Sequence, residues 1–94
     1  MKHINITIYG KVQGVFFRAT TKAVADQLGV KGFVKNQSDG SVYIEAEGDD
    51  FSMDSFLEWC NEGPEKAKVE KVDTSAGELK NYRNFEVIKK NILW

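Results

Sequence analysis

The stretch GKVQGVFFRAT, residues 10–20, joins two segments of different periodicity. Upstream, Ile4, Ile6 and Ile8 alternate with Asn5, Thr7 and Tyr9, which is the pattern of a half-buried strand. Downstream, Phe17, Thr21, Val24, Ala25 and Leu28 fall on one helical stripe, and Gly29 is a natural stop. A strand over 3–9 and a helix over 17–28 therefore meet across two glycines, and Arg18 sits in the first turn of the helix. That residue is the sole arginine in the first eighty.

The pattern beyond this junction completes a fold. Residues 30–36 and 41–47 read as two strands around NQSDGS, where Asp-Gly is a hairpin signal. The second alternates, with Val42, Ile44 and Ala46 expected inside and Tyr43, Glu45 and Glu47 outside. A second amphipathic helix over 51–62 carries Met53, Phe56, Leu57 and Cys60 on one face. Asp49, Asp50 or Ser52 can cap it, and Gly63-Pro64 ends it. Strands follow near 67–73 and 84–89, the last with Phe85 and Val87 on one face. The order β-α-β-β-α-β plus a terminal strand is the split βαβ pattern. We expect one α+β domain over residues 1–94, a ferredoxin-like split βαβ sandwich. Its sheet should be largely antiparallel with four to five strands, and both helices should lie on one face.

Composition narrows the function classes. The 94 residues are 41% hydrophobic and 29% charged, with a formal net charge of -1, which suits a globular domain and argues against a protein devoted to a phosphate backbone. Residues 45–65 carry eight acidic side chains and no basic one, which is read as a solvated helix face. Residues 1–44 carry six basic and two acidic side chains and favour an anionic ligand. Cys60 and His3 are each alone in the sequence, so no internal disulfide and no His/Cys metal cluster are expected. The opening MKHINITIYG lacks an apolar run long enough for a leader or a membrane span. The expectation is a cytoplasmic monomer without metal, cofactor, nucleic acid or membrane partner.

In a split βαβ unit the first two strands run parallel with a third between them. Their C-terminal ends then share one edge of the sheet, about 10 Å apart. Strand one ends in the glycine loop and strand two ends at Asn36, so Arg18 and Asn36 can reach a common ligand. Glycines let the loop turn its N–H groups inward, and the following helix points its positive end at the same place. The planar fork of Arg18 can grip two oxygens of a phosphate. Exposed at a loop, Arg18 should matter little to folding. A glycine-rich turn before a helix is often a plain connection, and Asn before a hairpin is often turn chemistry. It is the topology that pairs them. No G-K-[S/T] follows, so the loop is not a nucleotide P-loop.

Such a site has donors but no evident acid or base. Asp39 lies nearby, but turn-making explains it. Donors alone can hold a phosphoryl group and stabilise its charge when the leaving group needs no proton. A carboxylate qualifies, since its acid has a pKa of about 4. The chemistry points to an acyl phosphate.

The motif residues carry a resemblance. Gly10, Val12, Gln13, Gly14, Val15, Phe17 and Arg18 fit the acylphosphatase pattern G-x-V-Q-G-V-x-F-R. Gly32, Val34, Asn36, Asp39, Gly40 and Val42 fit its second pattern, G-x-V-x-N-x-x-D-G-x-V. GPEKAKV at 63–69 resembles the stretch after the family's second helix, and the likeness spans roughly residues 4–72. The resemblance implies a ferredoxin-like fold and hydrolysis of acyl phosphates to a carboxylate and inorganic phosphate, without metal or cofactor. It implies that Arg18 binds the phosphate together with the backbone amides of Gln13, Gly14, Val15, Phe16 and Phe17. It also implies that Asn36 orients the attacking water, whose proton the substrate's own phosphate takes. The tail NILW at 91–94 matches nothing specific.

Two other functions fit less well. KGFV at 31–34 resembles the start of an RNA-recognition signature, but only Lys31, Gly32 and Phe33 match and the later aromatics are absent. A noncatalytic anion-binding module would share the same sequence features, and turnover of an acyl phosphate separates it from an enzyme.

Overall fold

The computed structural model describes residues 1–89, so the tail at 91–94 lies outside the described residues. Seven elements follow in order: β1 (Lys2–Lys11), α1 (Phe17–Leu28), β2 (Lys31–Asn36), β3 (Val42–Gly48), α2 (Asp50–Glu62), β4 (Lys68–Gly77) and β5 (Phe85–Ile88). The strands form one sheet in the order β4-β1-β3-β2-β5. β1 pairs antiparallel with β3 and β4, β2 pairs antiparallel with β3, and β2 pairs parallel with β5. The expected ferredoxin-like α+β architecture is thus present with five strands.

Alternation sets the register. Ile44 stands opposite Ile6 on β1 and Val34 on β2, and all three are fully buried. They meet Phe17 and Ala25 of α1 and Met53, Phe56 and Cys60 of α2 in one core. α1 packs on β2 and β5, α2 packs on β1, β3 and β4, and the helices touch each other. Gly29 ends α1 in the left-handed region, with its N–H directed to the last-turn carbonyls of Ala25 and Asp26. Gly10 is required by close approach. At the β1/β4 bulge it has φ 129°, and a Cβ there would lie 2.1 Å from the Lys68 carbonyl oxygen.

Two expectations are corrected. β4 runs to Gly77 rather than ending near 73, because β1 pairs with it as far as His3. Glu47, expected outside, is 2% exposed. The segment 78–84 crosses part of the sheet face opposite the helices, over His3, Phe33, Glu45 and Glu47. The Glu47 carboxylate accepts from the Lys80 N–H at 2.6 Å and the Tyr82 N–H at 3.2 Å, and lies 2.7 Å from His3 Nδ1. A single buried carboxylate thus satisfies two strap amides that no strand partner reaches.

Burial alone pushes the Glu47 carboxyl up, but the Lys80 amide, His3 and the Tyr82 amide outweigh it and hold it below its ordinary value of 4.5. A depressed carboxyl stabilises the fold above its unfolded pKa, and that stability is lost as pH falls through the folded value. The Tm gap between the wild-type protein and Glu47→Gln should therefore be widest near neutrality and shrink below about pH 4.5. Thermal melts across that range check this, and a gap independent of pH would contradict it.

Candidate active site

The loop between β1 and α1 is held from below and open above. Val12 and Val15 are buried in the core, and Phe17 packs on Trp59 of α2 with ring centroids 5.5 Å apart. Gly14 has φ 73° and Phe16 has φ 62°, so two left-handed residues bend the backbone within three positions. Successive N–H groups turned this way form an anion-binding concavity. Among the described residues, the amides of Gln13, Gly14, Val15 and Phe16 donate to no protein acceptor.

The two helix starts differ in a way that carries information. Asp49 caps α2, accepting from the Ser52 N–H at 2.8 Å, and Asp50 follows in the first turn. α1 has no side-chain cap and no acidic residue in its first turn. Its positive end is left for something else. The N-cap position is held by Phe16, 77% exposed and in the left-handed region, where Ser, Asp or Gly would cost less.

That end of α1 opens into a cavity of about 290 Å³ lined by Gly14, Phe16, Phe17, Arg18, Asn36 and Val87 among others. Arg18 is partly buried rather than free at the surface. Its Nη1 donates to the Ile88 carbonyl at the end of β5 at 3.1 Å, and among the described residues the rest of the five-donor fork has no partner. Asn36 is the last residue of β2, and β3 lies between it and β1, as the topology requires. Its Oδ1 is buried with no hydrogen-bond partner among the described residues. A buried unpaired carboxamide oxygen costs about 1–3 kcal/mol.

Five of the seven residues singled out in the sequence thus line one cavity: Gly14, Phe16, Phe17, Arg18 and Asn36. Gln13 and Val15 are not in its wall; Val15 is core, and the Gln13 side chain turns toward the β2–β3 hairpin. Sequence reasoning missed the Ile88 carbonyl, which no residue type could announce, and Val87 and Lys89, which β5 brings to the rim. Asp39 accepts from the Ser41 N–H at 2.9 Å and from its hydroxyl, so turn-making is its role. The Ser41 contacts hold its carboxyl below its ordinary value.

The family pattern described as acylphosphatase matches residues 4–87, nearly the whole chain. This chain belongs to the acylphosphatase family. It is 48% identical over 89 residues to an acylphosphatase of Ligilactobacillus salivarius, covering 93% of this chain and 98% of that protein. It is 46% identical over 84 residues to one from Archaeoglobus fulgidus, covering 89% and 94%. The crystal structure of acylphosphatase from Bacillus subtilis superposes with a TM-score of 0.91 at 34% identity, covering 94% of this chain and 99% of that one. Sequence and fold agree that this chain is an acylphosphatase-family enzyme. Among its described residues no helix is long and apolar enough to cross a membrane, and no three His, Cys, Asp or Glu side chains converge to hold a metal ion.

Proposed function

We propose that the cavity at the start of α1 hydrolyses acyl phosphates, with Arg18 and the amides of Gln13 to Phe17 holding the phosphoryl group and Asn36 orienting the water. One observation carries this: Arg18 and Asn36, whose Oδ1 has no hydrogen-bond partner among the described residues, line the same cavity at an uncapped helix start. The guanidinium and amides supply positive charge where negative charge develops on the phosphoryl oxygens. Asn36 Oδ1 accepts a hydrogen from water and turns the water's lone pair toward phosphorus. The water oxygen forms the new P–O bond, the bond to the acyl oxygen breaks, and the carboxylate departs with that electron pair. The water's proton passes to a phosphoryl oxygen, so an acyl phosphate dianion and water give a carboxylate and dihydrogen phosphate. No carboxylate or imidazole lines the cavity among the described residues, which fits a proton carried by the substrate itself.

Release of inorganic phosphate from benzoyl phosphate by the purified protein tests this reading; binding without turnover would reduce the site to an anion-binding module. Residues 78–84 cross part of the sheet face and engage the buried Glu47, which narrows the surface on which an RNA could stack.

The proposed chemistry is independent of metal and thiol. Burial raises the Cys60 thiol well above its ordinary range, and the residue is fully buried in the core. Phosphate release should be unchanged by EDTA. Alkylation of Cys60 should follow unfolding rather than precede it. Cys60→Ser should keep the rate per folded molecule and lower Tm by burying a hydroxyl. Loss of activity with EDTA, restored by a divalent ion, would overturn the mechanism.

A further inference from the structure

The loop side chains between β1 and α1 divide by destination. Val12 and Val15 enter the core, and the exposed Phe16 lines the cavity. Gln13 does neither. Its Nε2 donates to the Gln37 carbonyl at 2.8 Å and to the Ser41 carbonyl at 2.9 Å. These two carbonyls stand at the base of the β2–β3 hairpin, and Gln37 directly follows Asn36.

The hairpin does not need these bonds to close. The Gln37 N–H donates to the Ser41 carbonyl at 2.9 Å and the Gly40 N–H to the Gln37 carbonyl at 3.1 Å. Gln37 Nε2 reaches Ser41 Oγ at 2.9 Å, and Asp39 Oδ1 accepts from the Ser41 N–H at 2.9 Å. Each carbonyl that Gln13 engages already accepts a backbone amide, and Gln13 uses its second lone pair. Removing the Gln13 donors therefore orphans no carbonyl, so its fold-level cost is small. What disappears is the link itself. Among the described residues, these two bonds are the ones joining loop 12–16 to segment 36–41.

We infer that Gln13 is a positioning residue for the hydrolysis: its two-pronged tie sets where Asn36 stands relative to the phosphate loop. This rests on Asn36 acting on the water, as proposed above. An in-line displacement needs the water on the far side of phosphorus from the leaving oxygen. The phosphoryl group is held on the β1–α1 loop and the water on the end of β2, so the geometry depends on how those two segments are fastened. Two bonds from one planar carboxamide fix orientation as well as distance. The Gln13 backbone amide survives any side-chain replacement, so the phosphate cradle is left in place.

The test uses Gln13→Met, close in shape but without donors, and Gln13→Glu, the same shape with acceptors facing two carbonyls. For each, kcat and KM on benzoyl phosphate per folded molecule, the inhibition constant of inorganic phosphate, and Tm are measured. Both substitutions are repeated in an Asn36→Ala background. We expect kcat to fall about 10- to 100-fold, the range that small misplacements produce. The phosphate inhibition constant should stay within about twofold. On the residual activity of Asn36→Ala, Gln13→Met should have no further effect, because the residue it positions is gone. An unchanged kcat in Gln13→Met, or the same fold-loss with and without Asn36, overturns the inference. So does a weakened phosphate inhibition at constant kcat, which would place the tie in the cradle instead. A fully active Asn36→Ala overturns the water assignment and this inference together, whereas an inactive Asn36→Ala beside a fully active Gln13→Met overturns this inference alone.

Discussion

Arg18→Lys should lose nearly as much activity as Arg18→Ala, about 10²–10³-fold in kcat, the loss typical of one positioned donor. Lysine keeps the charge but not the fork. In the structure one arm of the guanidinium donates to the Ile88 carbonyl at 3.1 Å while the group also lines the cavity. A planar, five-donor group can do both at once in a fixed plane. An ammonium is a compact point charge that must choose between the carbonyl and the ligand. The expectation that Arg18 is incidental to folding needs adjusting for the same reason. Arg18→Ala loses the bond to β5, about 1 kcal/mol for an ordinary hydrogen bond. For a domain of this size that lowers Tm by roughly 4–8 °C. Rates must therefore be expressed per folded molecule. Near wild-type turnover in Arg18→Lys would show that charge alone suffices and that the fork is dispensable.

The parts of this molecule legible in the sequence are those governed by short-range period. Ile4, Ile6 and Ile8, the Phe17–Leu28 stripe and Asp-Gly before Val42 each state their element within a few residues. Once those elements are ordered, the handful of topologies open to a βαββαβ chain puts the ends of β1 and β2 at one edge. That is why the sequence alone pairs Arg18 with Asn36. Contacts that depend on distant chain were not legible. Glu47 sits on the outward phase of β3, and only the strap of residues 78–84 folding back over the sheet buries it. Ile88 accepts from Arg18 through a backbone atom seventy positions away, which no side-chain pattern encodes. Gln13 belonged to a recognisable motif, yet its side chain serves the hairpin 24 and 28 residues on. Period reveals elements and topology reveals neighbours, but the ties between neighbouring loops depend on rotamers that only the packed structure fixes.

Asn36→Ala should abolish most turnover and leave phosphate binding intact. Arg18 and the loop amides are the proposed phosphate ligands, whereas Asn36, at the end of β2, lines the same cavity and its buried carboxamide oxygen has no partner among the described residues. Removing it deletes the water's acceptor without touching the cradle. It also removes a buried polar atom that no described residue satisfies, so Tm should hold steady or rise. A ligand that binds only the folded state raises Tm by mass action. Inorganic phosphate should accordingly raise Tm of Asn36→Ala about as much as that of the wild-type protein, and that of Arg18→Ala hardly at all. If Asn36 served the hairpin instead, its loss would lower stability and leave the rate of the folded fraction unchanged. The hairpin's own bonds argue against that, since its closure runs through Gln37, Asp39, Gly40 and Ser41 and not through the Asn36 side chain. Turnover per folded molecule beside a phosphate titration of Tm decides between them. A less stable but fully active Asn36→Ala would return this residue to turn formation and leave the attacking water without its acceptor.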